Sequence, residues 1–240
     1  RRIGLGFGDF HIAGRDVTVL KRMEDELRGL NDDLERRVRE RTRQLLLTQD
    51  VTILTLSSLA EAVDLETGEH IERTQLYVRV LAERLHDHPR FGDVLADDET
   101  AELLFRSAPL HDIGKVGVPD AILMKPAKLT DREFDVMKRH TTYGGDALRW
   151  AERRLGSNSF LHLAQQIAYY HHERWDGGGY PHGLAGDDIP VSARLMALAD
   201  YYDALISRRR YKRPYSHQKA REMITDEKGR HFDPDVVEAF

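Results

Sequence analysis

The chain has 240 residues, of which 40% are hydrophobic and 32% are charged, with a formal net charge of -5. This composition fits a soluble globular protein, and the negative charge disfavours a protein that coats nucleic acid through bulk electrostatics. Cysteine is absent, which excludes disulfides and thiolate metal sites and leads us to expect a reducing, cytoplasmic location.

The start of the chain predicts a fragment of a longer protein, because the first residue is Arg1 and not methionine. Ile3, Leu5 and Phe7 alternate with glycines, a period of two that indicates a strand. We therefore predict that residues 1–15 are the remnant of a truncated upstream domain. No run reaches the roughly 18 apolar residues of a membrane helix, so any membrane anchor would lie upstream.

Residues 16–50 are predicted to form a coiled-coil helix. Apolar side chains alternate at spacings of three and four through Leu20, Met23, Leu27, Leu30 and Leu34, which is a heptad seam. Leu34 already follows Leu30 by four residues, so the alternation calls for a spacing of three next. The next apolar residue, Val38, comes four residues later instead, and such a phase slip locally unwinds a coiled coil. A single amphipathic helix lying on the domain is the alternative, but its apolar face would normally be wider. The seam favours a parallel homodimer.

From residue 51 onward the apolar spacing predicts helices over 51–63, 71–85 and 100–110. Thr130 and Glu133 form a capping box that opens a further helix. Pro190 suits the first turn of a helix that runs through Leu205. Because no strand alternation recurs here, the predicted fold class is all-α, a helical bundle preceded by the coiled-coil helix.

Imidazoles and carboxylates stand out along these helices as candidate metal ligands. They are Glu66, His70, His111, Asp112, His140, His171, His172 and Asp200. Such ligands suit two or three divalent transition metals that hold an activated water. Iron or manganese is expected, and the same ligands admit adventitious zinc or nickel. Adjacent residues on a helix point roughly 100° apart. The two members of each adjacent pair, His111-Asp112 and His171-His172, would therefore reach different ions more easily than one shared ion.

Each candidate has a plainer explanation when it is taken alone. A lone histidine such as His140 is more often a hydrogen-bonded side chain than a ligand, and Asp200 could be a buried salt-bridge partner. The conjunction of residues from separate helices favours a metal site. Lys115, four residues after His111 and three after Asp112, would point toward the same metal site and could neutralise charge on a phosphate oxygen. The other histidines are interpreted as bystanders: His11, His86, His88, His162, His182, His217 and His231.

Several motifs together resemble the bacterial HD-GYP domain over roughly residues 51–240. They are His111-Asp112-Ile113-Gly114-Lys115, Val118-Pro119-Asp120, Lys125-Pro126 with Lys128-Leu129-Thr130, His171-His172-Glu173, Trp175-Asp176-Gly177, Gly179-Tyr180-Pro181, and Ala199-Asp200 through Asp203-Ala204-Leu205. The resemblance implies an all-α, HD-type helical bundle. It also implies a metal-dependent phosphodiesterase that hydrolyses cyclic di-GMP to pGpG or GMP.

The resemblance assigns roles to the matching positions. It implies the metal ligands His111, Asp112, His140, His171, His172 and Asp200, with Asp112 bridging two ions, and a third ion at Glu66 and His70. Lys115 resembles the catalytic lysine, while Tyr180, Arg209 and Lys212 resemble residues that hold the phosphates of the ligand. A basic run such as Arg208 to Lys212 could match phosphate geometry, although an isolated one is more often a solvated turn.

The sequence is thus interpreted as an output module of a bacterial signalling protein, with a phosphodiesterase domain over 51–240. We hypothesise that repacking of the coil between Leu34 and Val38 alters access to the metals. The alternative is a catalytically silent cyclic di-GMP receptor or scaffold that binds a diguanylate cyclase through the Gly179-Tyr180-Pro181 loop. A third possibility keeps the chemistry and changes the cyclic dinucleotide. Neither polymeric nucleic acid nor a membrane is expected as a partner of this fragment.

Overall fold

The structure, a computed structural model, describes residues 7–62, 68–95, 97–156, 159–208 and 213–240. Within these ranges the regular structure is helical and contains no β-strand, so the predicted all-α class is confirmed. The α-helices are α1 (Phe7–Ala62), α2 (Gly68–Leu85), α3 (Gly92–Leu95), α4 (Asp98–Ser107), α5 (Asp120–Leu123), α6 (Asp131–Lys138), α7 (His140–Leu155), α8 (Ser159–Tyr170), α9 (Val191–Ile206), α10 (His217–Asp226) and α11 (Pro234–Ala239). Short 3-10 turns cover Ala108–Leu110, Ile113–Gly117 and Gly186–Asp188.

The strand predicted near the start of the chain is wrong where the structure describes it. Helix α1 already begins at Phe7, while Ile3 and Leu5 lie outside the described residues. A strand needs a neighbour to pair its backbone N–H and C=O groups, and the described ranges contain none. The backbone therefore pairs within the helix. An upstream origin for residues 1–15 stays a prediction.

Two compact units divide the chain between Val51 and Thr52. In the first unit, the heptad residues from Leu20 to Leu34 leave 55–65% of each side chain exposed in the single chain. Charged neighbours pair along the helix, as Arg37 does with Asp33 at 2.7 Å. Stability of a helix with so little burial depends on packing against something else, and the predicted coiled coil remains a prediction.

The second unit has its own hydrophobic core. Side chains with almost no exposed area come from six helices: Val78, Leu81 and Leu85 of α2, Leu104 of α4, Ile167 of α8, Leu195, Met196 and Leu198 of α9, Ile224 of α10 and Val236 of α11. The helices predicted over 71–85 and 100–110 are present, although α4 ends at Ser107. Pro109 lacks the N–H that would continue α4, so residues 108–110 wind as a 3-10 turn.

Helix starts follow the predicted caps with one small shift. Thr130 caps α6 by accepting a bond from Glu133 N, and the Glu133 carboxylate accepts one from Thr130 N at 2.7 Å, so the capping box is confirmed. Pro190 instead stands at the N-cap of α9, one position before the predicted first turn. Its ψ of 140° is extended, which ends the preceding loop before the helix begins.

Close backbone packing brings the loop at 111–117 onto α7, and α7 onto α8. A Cβ on Gly114 would lie 1.9 Å from the carbonyl oxygen of His140 and 2.4 Å from the nitrogen of Gly144. A Cβ on Gly145 would lie 2.4 Å from the ring of Tyr169. Only glycine permits such approaches, so these positions set the spacing between three chain segments. No helix within the described ranges combines the length and the apolarity that crossing a membrane requires.

Candidate metal centre

The candidate ligands stand mainly at the ends of helices and in the turns between them. His111 and Asp112 connect two 3-10 turns, so the helical geometry expected for this pair is wrong. The proline-interrupted backbone of residues 108–110 explains the difference. His140 is the first residue of α7, and the pair His171-His172 directly follows α8. Three segments therefore converge where Gly114 approaches α7.

One cluster consists of Asp112, His140, His171 and His172. One ligand atom from each of the four lies within 4.8 Å of the others. Oδ1 of Asp112 is 3.2 Å from Nε2 of His140 and 3.6 Å from Nε2 of His171. This spacing leaves room for a cation that several donor atoms would share. The sequence had assigned all four residues to the metal site, and the fold brings them together.

A second cluster adjoins the first through Asp112. It contains Glu61, His70 and His111, whose ligand atoms also lie within 4.8 Å of one another. All three residues are buried. Nε2 of His111 is 3.4 Å from Oδ2 of Asp112. The Asp112 carboxylate therefore turns one oxygen toward each cluster, which is the placement that a bridging ligand requires.

Four rings of the two clusters are oriented in the same way. Backbone carbonyl oxygens accept the Nδ1 hydrogen of His111, His140 and His171 at 2.8–3.0 Å. For His70 the acceptor is the Asp203 carboxylate, at 2.8 Å. A bond from Nδ1–H leaves Nε2 as a lone-pair donor and fixes the ring plane. The Nε2 atoms are thus prepared as ligands.

These donor atoms fit a bound metal. Asp112 Oδ1 and the Nε2 atoms of His111, His140 and His171 are buried and make no hydrogen bond within the described ranges. Buried polar atoms usually have a partner, and a ring lone pair that faces a carboxylate oxygen is unfavourable unless a proton or a metal cation stands between them. Nitrogen and carboxylate donors suit divalent transition metals. The residues present therefore fit a divalent metal ion, while the predicted iron or manganese stays a prediction.

Burial and charge set the protonation states of the first cluster. Burial lowers the pKa of His140 to about 4, and burial with the charge of His171 holds the pKa of His172 well below its usual range. Burial by itself would raise the pKa of Asp112, but Lys115 and His111 hold it well below its usual range. Neutral imidazoles and an ionised carboxylate are the forms that ligate metals.

His111 lies in a strongly negative environment. Burial alone lowers its pKa, but the neighbouring Asp112 carboxylate outweighs that effect and raises the pKa to about 9. Asp200 and Glu61 act in the same direction. Without a metal this ring therefore carries a proton at neutral pH, and a divalent cation bound at Nε2 would replace that proton.

Lys115 supplies a cation beside the clusters. Its Nζ lies 2.8 Å from Oδ2 of Asp112, and the side chain is buried. An ammonium group cannot ligate a metal, but it can donate hydrogen bonds to an anionic ligand in the same space. The predicted proximity of Lys115 to the candidate ligands is thus present.

Asp200 borders the site and is not grouped with either cluster. Its Oδ1 is 3.6 Å from Nε2 of His70, and its side chain is 24% exposed. Asp200 lines a cavity of about 370 Å³ together with His171, His172, Tyr201 and His231. His231, interpreted from sequence as a bystander, thus lines the cavity beside the candidate ligands. Glu66, Arg209 and Lys212 lie outside the described residues.

Glu61 is a candidate ligand that the sequence interpretation missed. It lies in the last turns of α1, and the pattern could have revealed it, because Ile53, Ser57, Ala60 and Glu61 share one helical face. All four are buried. A glutamate is rarely buried unless it is paired or coordinated. An acidic residue on the core-facing stripe of a predicted helix was therefore the available signal.

The loop after His172 folds back over the site. The Tyr180 ring lies 4.8 Å from the His172 ring at an interplanar angle of 31°, and Tyr180 N donates to the carbonyl of His172 at 3.2 Å. Burial raises the pKa of Tyr180, so the phenol stays protonated. A Cβ on Gly179 would lie 2.4 Å from Arg174 N, so only glycine allows this return.

Glu173 holds the far side of the same loop. Its buried carboxylate accepts backbone hydrogen bonds from His182, Gly183 and Leu184 at 2.7–3.1 Å. An ionised acceptor makes such bonds stronger than neutral ones. Glu173 belongs to the His171-His172-Glu173 motif, but the sequence alone predicted no role for it. The structure makes it the internal anchor of the loop that carries Tyr180.

Comparison with known proteins gives consistent matches. The family described as HD domain matches residues 58–236. A cyclic di-GMP phosphodiesterase of Vibrio cholerae is 58% identical over 193 residues, which cover 80% of this chain and 39% of that protein. A probable cyclic di-GMP phosphodiesterase of the same organism is 52% identical over 221 residues, covering 92% and 50%. The chain thus spans half or less of the length of these curated relatives.

A solved structure shows a similar fold. The crystal structure of a cyclic GMP-AMP specific phosphodiesterase of Vibrio cholerae aligns with a TM-score of 0.53 and 20% sequence identity, covering 78% of this chain and 47% of that one. At that identity the likeness concerns the fold alone, and it agrees with the helical bundle described above.

Proposed function

This chain belongs to the HD-domain family, in its HD-GYP branch, and on that premise we propose that it is a metal-dependent phosphodiesterase that hydrolyses cyclic di-GMP to pGpG or GMP. One observation carries the proposal: the Asp112 carboxylate lies between two groups of imidazoles whose Nε2 lone pairs face it. The names of the two Vibrio cholerae relatives support the substrate class.

We propose two or three divalent ions, iron or manganese, as cofactors. Asp112, His140, His171 and His172 would hold one ion, and His70, His111 and Glu61 would hold another, with Asp112 shared. Asp200, and Glu66 by its resemblance to the family motif, would complete the coordination. When bound, such ions lower the pKa of a coordinated water and clamp the non-bridging oxygens of a phosphodiester.

Protein groups around the ions would handle the charge of the substrate. A phosphodiester carries a negative charge that grows on the leaving oxygen as the P–O bond breaks. Lys115 Nζ, already 2.8 Å from Asp112, would donate to that anionic group in a buried setting where its charge is weakly screened. Tyr180 would close over the phosphate, and Arg209 and Lys212 would hold it through charge-assisted bonds.

We further propose that the chain works as a homodimer in the cytoplasm. The exposed heptad residues of α1 would pair in a parallel coil over residues 16–50. An enzyme that degrades a second messenger must share its compartment. The Gly179-Tyr180-Pro181 loop, whose residues are partly exposed, is the surface on which a diguanylate cyclase partner would dock.

The test is turnover of cyclic di-GMP by purified protein loaded with iron or with manganese, with products separated by chromatography. We expect pGpG, GMP or both from the wild-type chain. A His111→Ala, Asp112→Ala double variant should lose metal and activity together. Tight binding of cyclic di-GMP without any product, at full metal occupancy, would identify a silent receptor and end the proposal. Faster turnover of another cyclic dinucleotide would keep the chemistry and change the substrate.

A further inference from the structure

An aromatic surface continues outward from the metal clusters along α6. The Phe134 ring meets the Tyr180 ring edge-on, with centroids 6.2 Å apart at 82°. Tyr180 in turn covers His172. The Tyr180 ring therefore lies between Phe134 and the candidate ligand His172. Phe134 is 44% exposed, whereas Tyr180 is only partly exposed.

A cation accompanies these two rings. Nζ of Lys138 lies 4.9 Å from the Phe134 centroid and 5.9 Å from the Tyr180 centroid. Asp135 also pairs with Lys138, at 2.9 Å. An aromatic face under a cation attracts the π-system and carbonyl groups of a nucleobase, because stacking and cation–π attraction act together.

Phe134 lies outside the hydrophobic core. Helix α6 contains no buried residue, so Phe134 is not a core side chain. The start of this helix is fixed by the Thr130 and Glu133 cap instead. Because Phe134 packs against Tyr180, and Tyr180 covers His172, the exposed ring adjoins the candidate ligands.

We propose that Phe134, with Lys138 beside it, is the stacking platform for one nucleobase of the substrate. The inference rests on the proposed function, since it places a phosphodiester at the clusters and therefore a base about one sugar away. Phe134 would contribute to substrate binding and would leave the reacting atoms untouched. Its removal should raise KM and leave kcat nearly unchanged, because the stacked base is held equally in the ground and transition states.

The kinetic test compares Phe134→Leu and Phe134→Trp with wild-type enzyme on cyclic di-GMP. We expect Phe134→Leu to raise KM about tenfold, within the range of base–aromatic stacking, and Phe134→Trp to keep a KM close to that of wild type. The matched control is Trp150→Leu. Trp150 is 63% exposed under the Arg154 guanidinium, but it stands ten residues along α7 from His140, about 15 Å away. An unchanged KM in Phe134→Leu, or an equal rise in Trp150→Leu, would overturn the inference.

A binding readout separates this inference from the proposed function. Cyclic dinucleotide carrying 2-aminopurine in place of one guanine loses fluorescence when that base stacks on an aromatic ring. Titration into metal-loaded protein should give quenching that Phe134→Leu reduces and Phe134→Trp restores, at unchanged metal content and thermal midpoint. If the wild-type protein shows this dependence of quenching on Phe134 but hydrolyses no cyclic dinucleotide, the proposed function is wrong and the inference that a base stacks on Phe134 is supported. Equal quenching in wild type and Phe134→Leu refutes the platform even when turnover is normal.

Discussion

Nδ1 of His70 lies 2.8 Å from Oδ2 of Asp203, a contact that joins a proposed metal ligand to a fully buried carboxylate. Arg73 binds the same carboxylate through Nε at 2.6 Å, and Ser207 donates to it at 3.0 Å. Burial by itself would raise the pKa of Asp203, but the bonds from His70 and Arg73 lower it to about 2. Asp203 thus stays ionised and holds the ring of His70 in one orientation.

Asp203→Asn is expected to weaken metal binding at His70. An amide can still contact the ring, but it no longer offers a charged acceptor that fixes Nδ1–H, and loss of such an orienting partner typically costs about 10–100-fold in metal affinity. Competition with a chelator, followed by metal analysis, measures the effect. The exposed Asp226 on α10 provides the control Asp226→Asn. Equal metal retention by both variants would show that the contact is only structural.

Lys115→Met should separate chemistry from metal binding. The variant keeps an unbranched side chain of similar length but removes the donor that would meet the anionic leaving group, so we expect kcat to fall about 100-fold or more. Metal content should stay at the wild-type level, because an ammonium group is not a ligand. Lys128→Met, at an exposed position, is the control. A normal kcat in Lys115→Met would remove this residue from the reaction.

Gly114→Ala tests the backbone contact that assembles the site. The new methyl group would lie 1.9 Å from the His140 carbonyl oxygen, and forcing extra volume into such packing costs about 1–3 kcal/mol. Urea unfolding should show that loss, together with reduced metal content. Gly29→Ala is the contrast, because nothing lies within 4 Å of that position on α1, and alanine favours a helix by about 1 kcal/mol. A neutral Gly114→Ala would contradict the packing described here.

The sequence indicated candidate ligands more readily than the contacts that support them. Residues such as Asp112 and His140 carry their chemistry in their side chains, so type and motif sufficed to select them. Glu61 was missed because its significance depends on which face of α1 is buried, and burial follows from tertiary packing. Glu173 and Asp203 stood inside recognised motifs, yet their roles depend on partners 9–11 and 133 positions away in the chain.

The fold shows the same division between local and distant effects. The capping box of α6 was predictable because its two partners are three residues apart. The 3-10 geometry around His111 was not predicted, because the apolar spacing continues the helical pattern to Leu110. Pro109 was the sequence signal that the helix would end earlier. At the start of the chain a local pattern was misleading. Three apolar residues that alternate with glycines predicted a strand, but the last of them, Phe7, is the first residue of α1, and the described ranges contain no strand with which it could pair.

Glu173→Gln should loosen the loop that carries Tyr180. The carboxylate now accepts three backbone bonds through its two oxygens. In glutamine the amide oxygen can still accept, but the amide nitrogen that replaces the other oxygen cannot, so at least one backbone N–H loses its acceptor. An unsatisfied buried donor costs about 1–3 kcal/mol. We expect faster proteolysis within residues 177–186 and a raised KM, with metal content unchanged. Asp188→Asn, at an exposed position just beyond this segment, is the comparison variant. Identical proteolysis of wild type and Glu173→Gln would show that the anchor is dispensable.

Leu30→Asp with Leu34→Asp should convert the proposed dimer into a monomer. Each substitution would place a carboxylate in the seam of a coiled coil, where burial of unpaired charge is unfavourable. Sedimentation equilibrium reports the change in mass, and Arg28→Ala, one position beyond the seam residue Leu27, should leave the mass unchanged. Monomeric wild-type protein at tens of micromolar would contradict the seam prediction.

The hydrogen bond from Tyr180 N to the carbonyl of His172 has a thermodynamic consequence. One dipeptide, His172 with Glu173, belongs both to a proposed metal ligand set and to the support of the loop above it. Movement of that loop on nucleotide binding would shift the ligand ring, so the two equilibria are coupled. Coupling free energy is reciprocal. If bound ions raise the affinity for the nucleotide by some factor, the bound nucleotide raises the affinity for the ions by the same factor. The protein would therefore bind the proposed metal ions most tightly when the proposed nucleotide substrate is abundant.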